Sequence, residues 1–364
     1  MEVAAVVLAA GYSSRMGFFK PLALLNGVSA LERILRSMRG AGVRNVLVVT
    51  GFNEDVVASA AQRAGARAVY NPRYAEGMFT SVQVGVAALP HSADAFFLLP
   101  VDIPTVRVST LRLMMESASS NGILHPLFRG KRGHPPLIAA ALAPHILDFS
   151  GEGGLRAFFD GWATWNQDFD VADEGVLMDM DTPQDFEKIH RRLSGLRVPS
   201  KMEREVLFDL AGTPLRVRAH CDATASVCLK LAFALRQQGV RIDMPLLHGA
   251  ALFHDVCRHV PDHVCAGEIF LRRHGFPLLA EIAACHRDLP PLPRIEATLL
   301  HLADKLVSDT HIISLDARKK NMRMRYGADQ NALLAIRQRY AAARKTARRI
   351  ERITGQSLET LLQI

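Results

Sequence analysis

The sequence predicts an α/β fold followed by an all-α one: a mostly parallel sheet covered by helices on both faces, then a helical domain. Three observations predict it. Short β-branched apolar runs alternate with helical patterns through the first 120 residues, strand signals nearly vanish beyond residue 202, and 364 residues suit about two domains at roughly 100–200 residues each. The first domain is expected over 1–195 and the second over 203–364, joined by GLRVPSKM at 195–202.

Residues 3–9 are continuously apolar and rich in valine, as a strand buried on both faces must be. The pattern then predicts a helix over 28–40, a strand over 45–50, a helix over 54–64, a strand over 67–70, a helix over 79–88, a strand over 95–99 and a helix over 108–118. Residues 176–180 read as a further strand-like run. Ligands of such sheets bind at the carboxyl ends of the strands, where the 11–17 loop and the 100–104 segment belong. In the second half, helical patterns run over 203–237, 243–257, 264–287, 295–310 and 329–352. No repeat and no low-complexity segment occurs.

No apolar run reaches the ~18 residues that a membrane span needs, and no basic region precedes the first apolar run, so a soluble cytoplasmic protein is expected. All five cysteines lie between 221 and 285, in odd number and without a CxxC pair, which favours free thiols over a disulfide framework. Residues 1–195 hold 18 basic and 19 acidic side chains, a net −1; the remaining 26 and 17 give +9. The basic helical tail carries few aromatics, which favours a solvated face over a nucleic-acid site.

The first apolar run breaks into LAAGYSSRMGFFKPL at 8–22. Glycines let a backbone approach a ligand closely, successive N–H groups in such a turn form an anion site, and Arg15 and Lys20 add fixed positive charge. The loop therefore suits a polyphosphate. It is neither a Walker loop nor a dinucleotide GxGxxG, which disfavours a P-loop ATPase and a Rossmann dehydrogenase. Asp102 ends an apolar strand between prolines, and Asp181 follows the 176–180 run. Two carboxylates at strand ends hold one Mg²⁺ between them. The alternative roles are a turn or cap for Asp102 and an N-cap before Pro183 for Asp181.

This stretch resembles the LAAGxSxRMG-x-x-K-x-L signature of the MobA-like nucleotidyltransferases, within them the molybdenum cofactor cytidylyltransferases. The match continues through NPRYAEGMFTSVQVGVAAL at 71–89, LLPVDIP at 98–104, GHPPLI at 133–138, GEGGLRAFF at 151–159 and MDMDTPQDF at 178–186. The resemblance implies a Rossmann-like nucleotidyltransferase sheet, Mg²⁺ as cofactor, and an NTP, with Ala10 favouring CTP over GTP. It assigns Arg15 and Lys20 to the triphosphate and Ala9, Ala10 and Gly11 to the base, with Gly77, Ser81 and Asp102 completing the nucleotide site. Gly133, His134, Gly153 and Gly154 would meet a molybdopterin-type acceptor. Tyr12, Phe18 and Phe19 are bulkier than that pattern has.

The second half places His220, His254-Asp255 and Asp304 within helical patterns. Imidazoles and carboxylates projecting inward from several helices suit Mn²⁺, Fe²⁺ or Zn²⁺ and can activate water; the alternative for each histidine is a satisfied core residue. The order H…HD…D over 213–312 resembles the HD-domain metal-dependent phosphohydrolases. By that resemblance His220, His254, Asp255 and Asp304 are ligands, with Asp255 also catalytic. His263 and His286 fall where a second metal or a phosphate is held, and Lys305 where a phosphate is met. The expectation is a bifunctional enzyme transferring a nucleotidyl group to molybdopterin and hydrolysing a phosphoester. The alternatives are a transferase acting on a sugar phosphate or other metabolite, and a nucleotide-sensing accessory protein with a molybdoenzyme partner.

Overall fold

The computed structural model describes residues 1–13, 18–118 and 122–363, and the chain forms two compact units, Met1–Leu196 and Arg197–Ile364. The first is built from β1 (Val3–Leu8), α1 (Ala30–Ala41), β2 (Asn45–Thr50), α2 (Glu54–Arg63), β3 (Arg67–Tyr70), α3 (Met78–Ala87), β4 (Ala95–Pro100), α4 (Val108–Ser117), β5 (Ile123–Phe128), β6 (Leu137–Ala139), α5 (Ala143–Asp148), α6 (Gly154–Gly161), β7 (Asn166–Asp170) and α7 (Pro183–Gly195). The strands lie in the order β7-β5-β6-β4-β1-β2-β3.

Strand β1 sits between β4 and β2 and is parallel to both, with Val6 opposite Leu98 and Leu47. All six of its residues are buried, as an unbroken apolar run requires of a strand covered on both faces. The sheet is not wholly parallel, because β6 runs antiparallel to both β4 and β5. Val6, Val49, Phe96, Leu98, Val82 and Phe158 form the centre of its core. Helix α3 comes so close that a Cβ on Gly85 would lie 2.3 Å from Val6 Cγ1.

Residues 176–180 are not a strand. A 3₁₀ turn covers Glu174–Leu177, because the buried Asp173 carboxylate accepts from Gly175 N at 3.0 Å and curls the chain there. Asp181 therefore follows an irregular segment rather than a strand.

The second unit is helical: α8 (Lys201–Leu210), α9 (Leu215–Gln237), α10 (Met244–Phe253), α11 (His263–Arg273), α12 (Pro277–Ala284), α13 (Ile295–Leu306), α14 (Leu315–Arg325), α15 (Gln330–Thr354) and α16 (Leu358–Leu362), with a short hairpin of Val307–Ser308 and His311–Ile312. The pattern at 203–237 divides at Gly212, whose φ of +63° is left-handed, and Pro214. That at 264–287 divides at Gly275, with φ +92°, before Pro277. Among the described residues no helix is long and apolar enough to cross a membrane.

Candidate active sites

The loop after β1 is tied to the carboxyl ends of its neighbours. Ala9 N donates to Val49 O at 2.9 Å, Phe52 N to Ala10 O at 3.1 Å and Val101 N to Leu8 O at 3.0 Å. Arg15 lies outside the described residues. Lys20 opens a 3₁₀ turn with Pro21, and its backbone N–H donates to Ser13 Oγ at 3.0 Å. Its ammonium reaches between two carboxylates, 2.5 Å from Asp181 Oδ1 and 3.4 Å from Asp102 Oδ2.

Asp181 does not cap α7. Thr182 does, its hydroxyl accepting from Asp185 N at 3.2 Å, and Asp181 turns to Lys20 instead. A third carboxylate, Asp179, shares this patch. Partial burial raises its pKa, and Asp181 and Asp102 raise it further. The signal for it was the Met-Asp-Met-Asp alternation at 178–181, since an extended segment turns alternate residues to one side. His134 lies within the field of Asp102; burial lowers its pKa, while Asp102 pulls the other way. Hard carboxylate oxygens gathered at one point fit Mg²⁺.

The remaining predicted residues lie in loops and helix starts of the same unit. Gly77 caps α3 with φ +116°, a conformation that side chains resist. Gly151 packs on Phe79 of the same helix, where a Cβ would lie 3.0 Å from the ring. Gly153 and Gly154 carry the chain into α6 through left-handed φ values of +73° and +65°. Gly133 runs against the Val176 backbone, where a Cβ would come within 2.5 Å of the carbonyl oxygen. Ser81 is buried and accepts from Asn71 Nδ2 at 2.9 Å, which gives its hydroxyl a bond inside the fold.

In the second unit, six predicted residues converge from α9, α11, α13 and the segments after α10 and α12. His220, His254 and Asp304 form one group, and Asp255, His263 and His286 another. Asp304 Oδ1 lies 3.5 Å from His220 Nε2 and 3.6 Å from His254 Nε2. Asp255 turns Oδ2 to His254 Nε2 at 3.7 Å, and Oδ1 to His263 at 3.3 Å and His286 at 3.4 Å.

The tautomers make this arrangement informative. Nδ1 of His220, His254 and His286 each meets a backbone carbonyl, of Asp309, Ala251 and Ala283, at 2.8–2.9 Å. These nitrogens must donate, so in the neutral ring Nε2 keeps its lone pair. His263 Nε2 accepts from Arg258 Nη1 at 2.7 Å. With the rings neutral, lone pairs face carboxylate oxygens, and the buried His254 Nε2 and Asp255 Oδ1 have no hydrogen-bond partner. Burial lowers the His254 pKa, but Cys221, Asp255 and Asp304 outweigh it and hold it well above the usual imidazole value. A buried polar atom left without a partner is costly, and acceptor facing acceptor is repulsive, unless a proton or a metal cation lies between.

Charge follows the same logic. Burial and neighbouring His254 push the His286 imidazole down to about 4, keeping it neutral. Burial pushes the Asp304 carboxyl up, but Lys305, His220 and His254 overcome it and hold it well below the usual carboxylate range. Imidazole nitrogens with carboxylates fit borderline divalent metals. Lys305 donates to His286 O at 2.7 Å and lies 3.3 Å from Asp304 Oδ2, so its ammonium is a brace between the two groups. The sequence pattern passed over Arg258, whose guanidinium lies 3.7 Å from Asp255 Oδ1.

Residues 5–168 match the family model of the MobA-like NTP transferase domain. The chain is 26% identical over 182 residues to the molybdenum cofactor cytidylyltransferase of Escherichia coli (strain K12), covering 50% of this chain and 92% of that protein. It is 30% identical over 198 residues to the nicotine blue oxidoreductase of Paenarthrobacter nicotinovorans, covering 51% and 96%. A solved nucleotidyl transferase from Methanothermobacter matches with 26% identity and a TM-score of 0.48 over 53% of this chain and 97% of that one. Through its first unit, the chain belongs to the MobA-like NTP transferase family.

Proposed function

We propose that the first unit transfers CMP from CTP to the phosphate of a molybdopterin-type acceptor. The observation that carries this reading is the Lys20 ammonium held between Asp102 and Asp181 at the mouth of the β1 loop. An acceptor phosphate oxygen attacks the α-phosphorus, the bond from that phosphorus to the β-bridging oxygen breaks, and pyrophosphate leaves. Lys20 and Arg15 bind the triphosphate, and Ala10–Gly11 lies against the base. Asp102 and Asp181 would hold Mg²⁺, which supplies charge to neutralise the transferring phosphate. The E. coli relative's name and Ala10 support CTP and molybdopterin. Asp102→Ala is expected to abolish pyrophosphate release from CTP with molybdopterin while the fold stays intact by circular dichroism. Normal turnover by that variant, or release with sugar phosphates in place of molybdopterin, refutes the assignment.

For the second unit we infer a metal-dependent phosphohydrolase of the HD type, supported by the orphaned His254 Nε2 and Asp255 Oδ1. His220, His254, Asp255 and Asp304 would hold one divalent cation, and Asp255, His263 and His286 a second; bound there, the ions supply Lewis acidity toward water and phosphate. Water attacks phosphorus, the ester P–O bond breaks, and the alcohol leaves with a proton. Lys305 keeps Asp304 and the His286 segment in register, and a cation at the second position would take the place of the Arg258 N–H at His263 Nε2. Purified protein is expected to carry close to one or two transition-metal ions per chain and to hydrolyse p-nitrophenyl phosphate or its diester. Metal-free protein without hydrolysis refutes this reading.

A further inference from the structure

The His/Asp groups form the floor of a cavity of about 720 Å³ whose far wall is α14 and α15. That volume lies within the ~300–1,000 Å³ of small-molecule sites. Six cationic side chains line it against three carboxylates, and two of those carboxylates, Asp255 and Asp304, belong to the floor. The third, Asp329, is spent on the N-terminus of α15, accepting from Asn331 N and Ala332 N.

Most of the cations are already engaged. Arg258 serves Asp255 and His263, Lys305 serves Asp304, Arg287 lies 4.0 Å from Asp288, and Arg339 holds the same Asp288 through two bonds of 2.7 Å. Arg318 and Arg325 differ. Arg318 donates to the neutral Ser308 hydroxyl at 2.8 Å, and Arg325 lies beside the Tyr326 ring, its Cζ 5.5 Å from the centroid. Among the described residues neither has a carboxylate within ion-pair distance. They stand seven residues apart on α14, hence on one face and about 10 Å apart at the backbone, with Met322 between them. Tyr326 and Met322 of this end, with Ile336 of α15, offer flat apolar surface.

A lone phosphate on the floor would leave these two guanidiniums facing an empty wall. We propose that the cavity takes a nucleotide carrying two or more phosphate groups. One phosphate sits over the His/Asp floor, a second on Arg318 and Arg325, and the base lies against the Tyr326 end. This deepens, and rests on, the phosphohydrolase reading of the same site. Arginine suits the second position because its planar fork pairs with phosphate through two bonds and stays charged.

The test is isothermal titration calorimetry of the full-length protein in its purified metal state, kept cold, with nucleotide recovery checked by chromatography. The probes are adenosine 3′,5′-bisphosphate, AMP and adenosine. Neither phosphorylated probe is an NTP, and comparison with second-unit variants isolates this cavity from the transferase site. The bisphosphate is expected to bind at least tenfold tighter than AMP. Arg325→Ala, an exposed position with no ion pair to lose, is expected to weaken the bisphosphate at least fivefold, and R318A/R325A to shrink its advantage over AMP below threefold. Equal binding of bisphosphate and AMP by the wild type overturns the proposal, as does an undiminished advantage in R325A. Hydrolysis of p-nitrophenyl phosphate by the same preparation separates the two readings. If it proceeds while the advantage is missing, only the polyphosphate inference fails; if metal, hydrolysis and nucleotide binding are all missing, both fail.

Discussion

A buried carboxylate is costly unless every lone pair is met, and Asp173 meets that condition. It is 1% exposed and accepts from Arg107 N at 2.8 Å, Thr110 Oγ1 at 2.7 Å, Gly175 N at 3.0 Å and Arg192 Nη2 at 2.5 Å. It thus pins the start of the segment that carries Asp179 and Asp181. Asp173→Ala would remove one of the two carboxylates that pair with the buried Arg192 guanidinium, Glu174 being the other, and leave the Thr110 hydroxyl and two backbone N–H groups without their acceptor; the expected loss is about 1–3 kcal/mol of stability. Trp162 and Trp165, the chain's two tryptophans, both lie in the first unit, so the urea midpoint of their fluorescence reads this loss; a midpoint that does not fall would refute it. His125 gives a pH dependence through the same probe. Burial lowers its pKa, more than its contact with Asn166 at 2.9 Å restores. The unfolded chain then takes up a proton at pH values where the folded chain does not. This contribution to stability is complete above about pH 6.5 and is lost as the pH falls toward the lowered value, by at most about 1.4 kcal/mol per pH unit. His125→Gln is expected to flatten the change in midpoint between pH 7.5 and 5.5, and an unflattened profile would exclude His125 as its source.

Among elements, contact between α3 and β1 decides how the Gly77 loop is presented. Gly85 lets the helix rest on Val6 and Val49, where a Cβ would lie 2.3 and 3.0 Å from their methyls. Gly85→Ala must push α3 off the sheet, at a cost of roughly 1–3 kcal/mol. Because Gly77 opens that helix, kcat/KM for the acceptor is expected to fall as well; wild-type stability would mean that the sheet yields instead. Nothing at Gly85 in the sequence announces this contact, since a glycine inside a helical pattern reads only as a weak helix former. Strands over 45–50 and 67–70 were legible to the residue, because their apolar runs are bounded by turn residues. Residues 176–180 misled because their apolar side chains are buried around a turn whose cause, Asp173, acts through tertiary bonds. Helix patterns overran Gly212 and Gly275 because apolar periodicity continues across both breaks.

For the whole molecule, the residue types gathered at both candidate sites were legible in the sequence, but not what faces them. The H…HD…D order can be followed along the chain from residue types alone, whereas Arg318 and Arg325 meet the cavity only after α14 folds over it, and α14 itself has five basic side chains in eleven residues and carries little apolar periodicity. Each unit has its own buried residues and its own cluster of carboxylates, so the two proposed chemistries should respond separately to damage. Replacing His254 and Asp255 together with alanine removes two donors of the first His/Asp group and the carboxylate of the second. It also removes the acceptors that repel one another when no cation is present, so α10 and its neighbours should stay folded. Elemental analysis of the purified double variant is expected to show transition metal falling to a small fraction of the wild-type content. Hydrolysis of p-nitrophenyl phosphate should fall by at least a hundredfold, while pyrophosphate release from CTP with molybdopterin and added Mg²⁺ stays within twofold. Asp102→Ala should do the reverse, abolishing pyrophosphate release and sparing metal content and hydrolysis. Unchanged metal in the double variant would refute the ligand set. Loss of both activities in either variant, with the helical and tryptophan signals of the wild type retained, would mean that the two sites serve a single reaction.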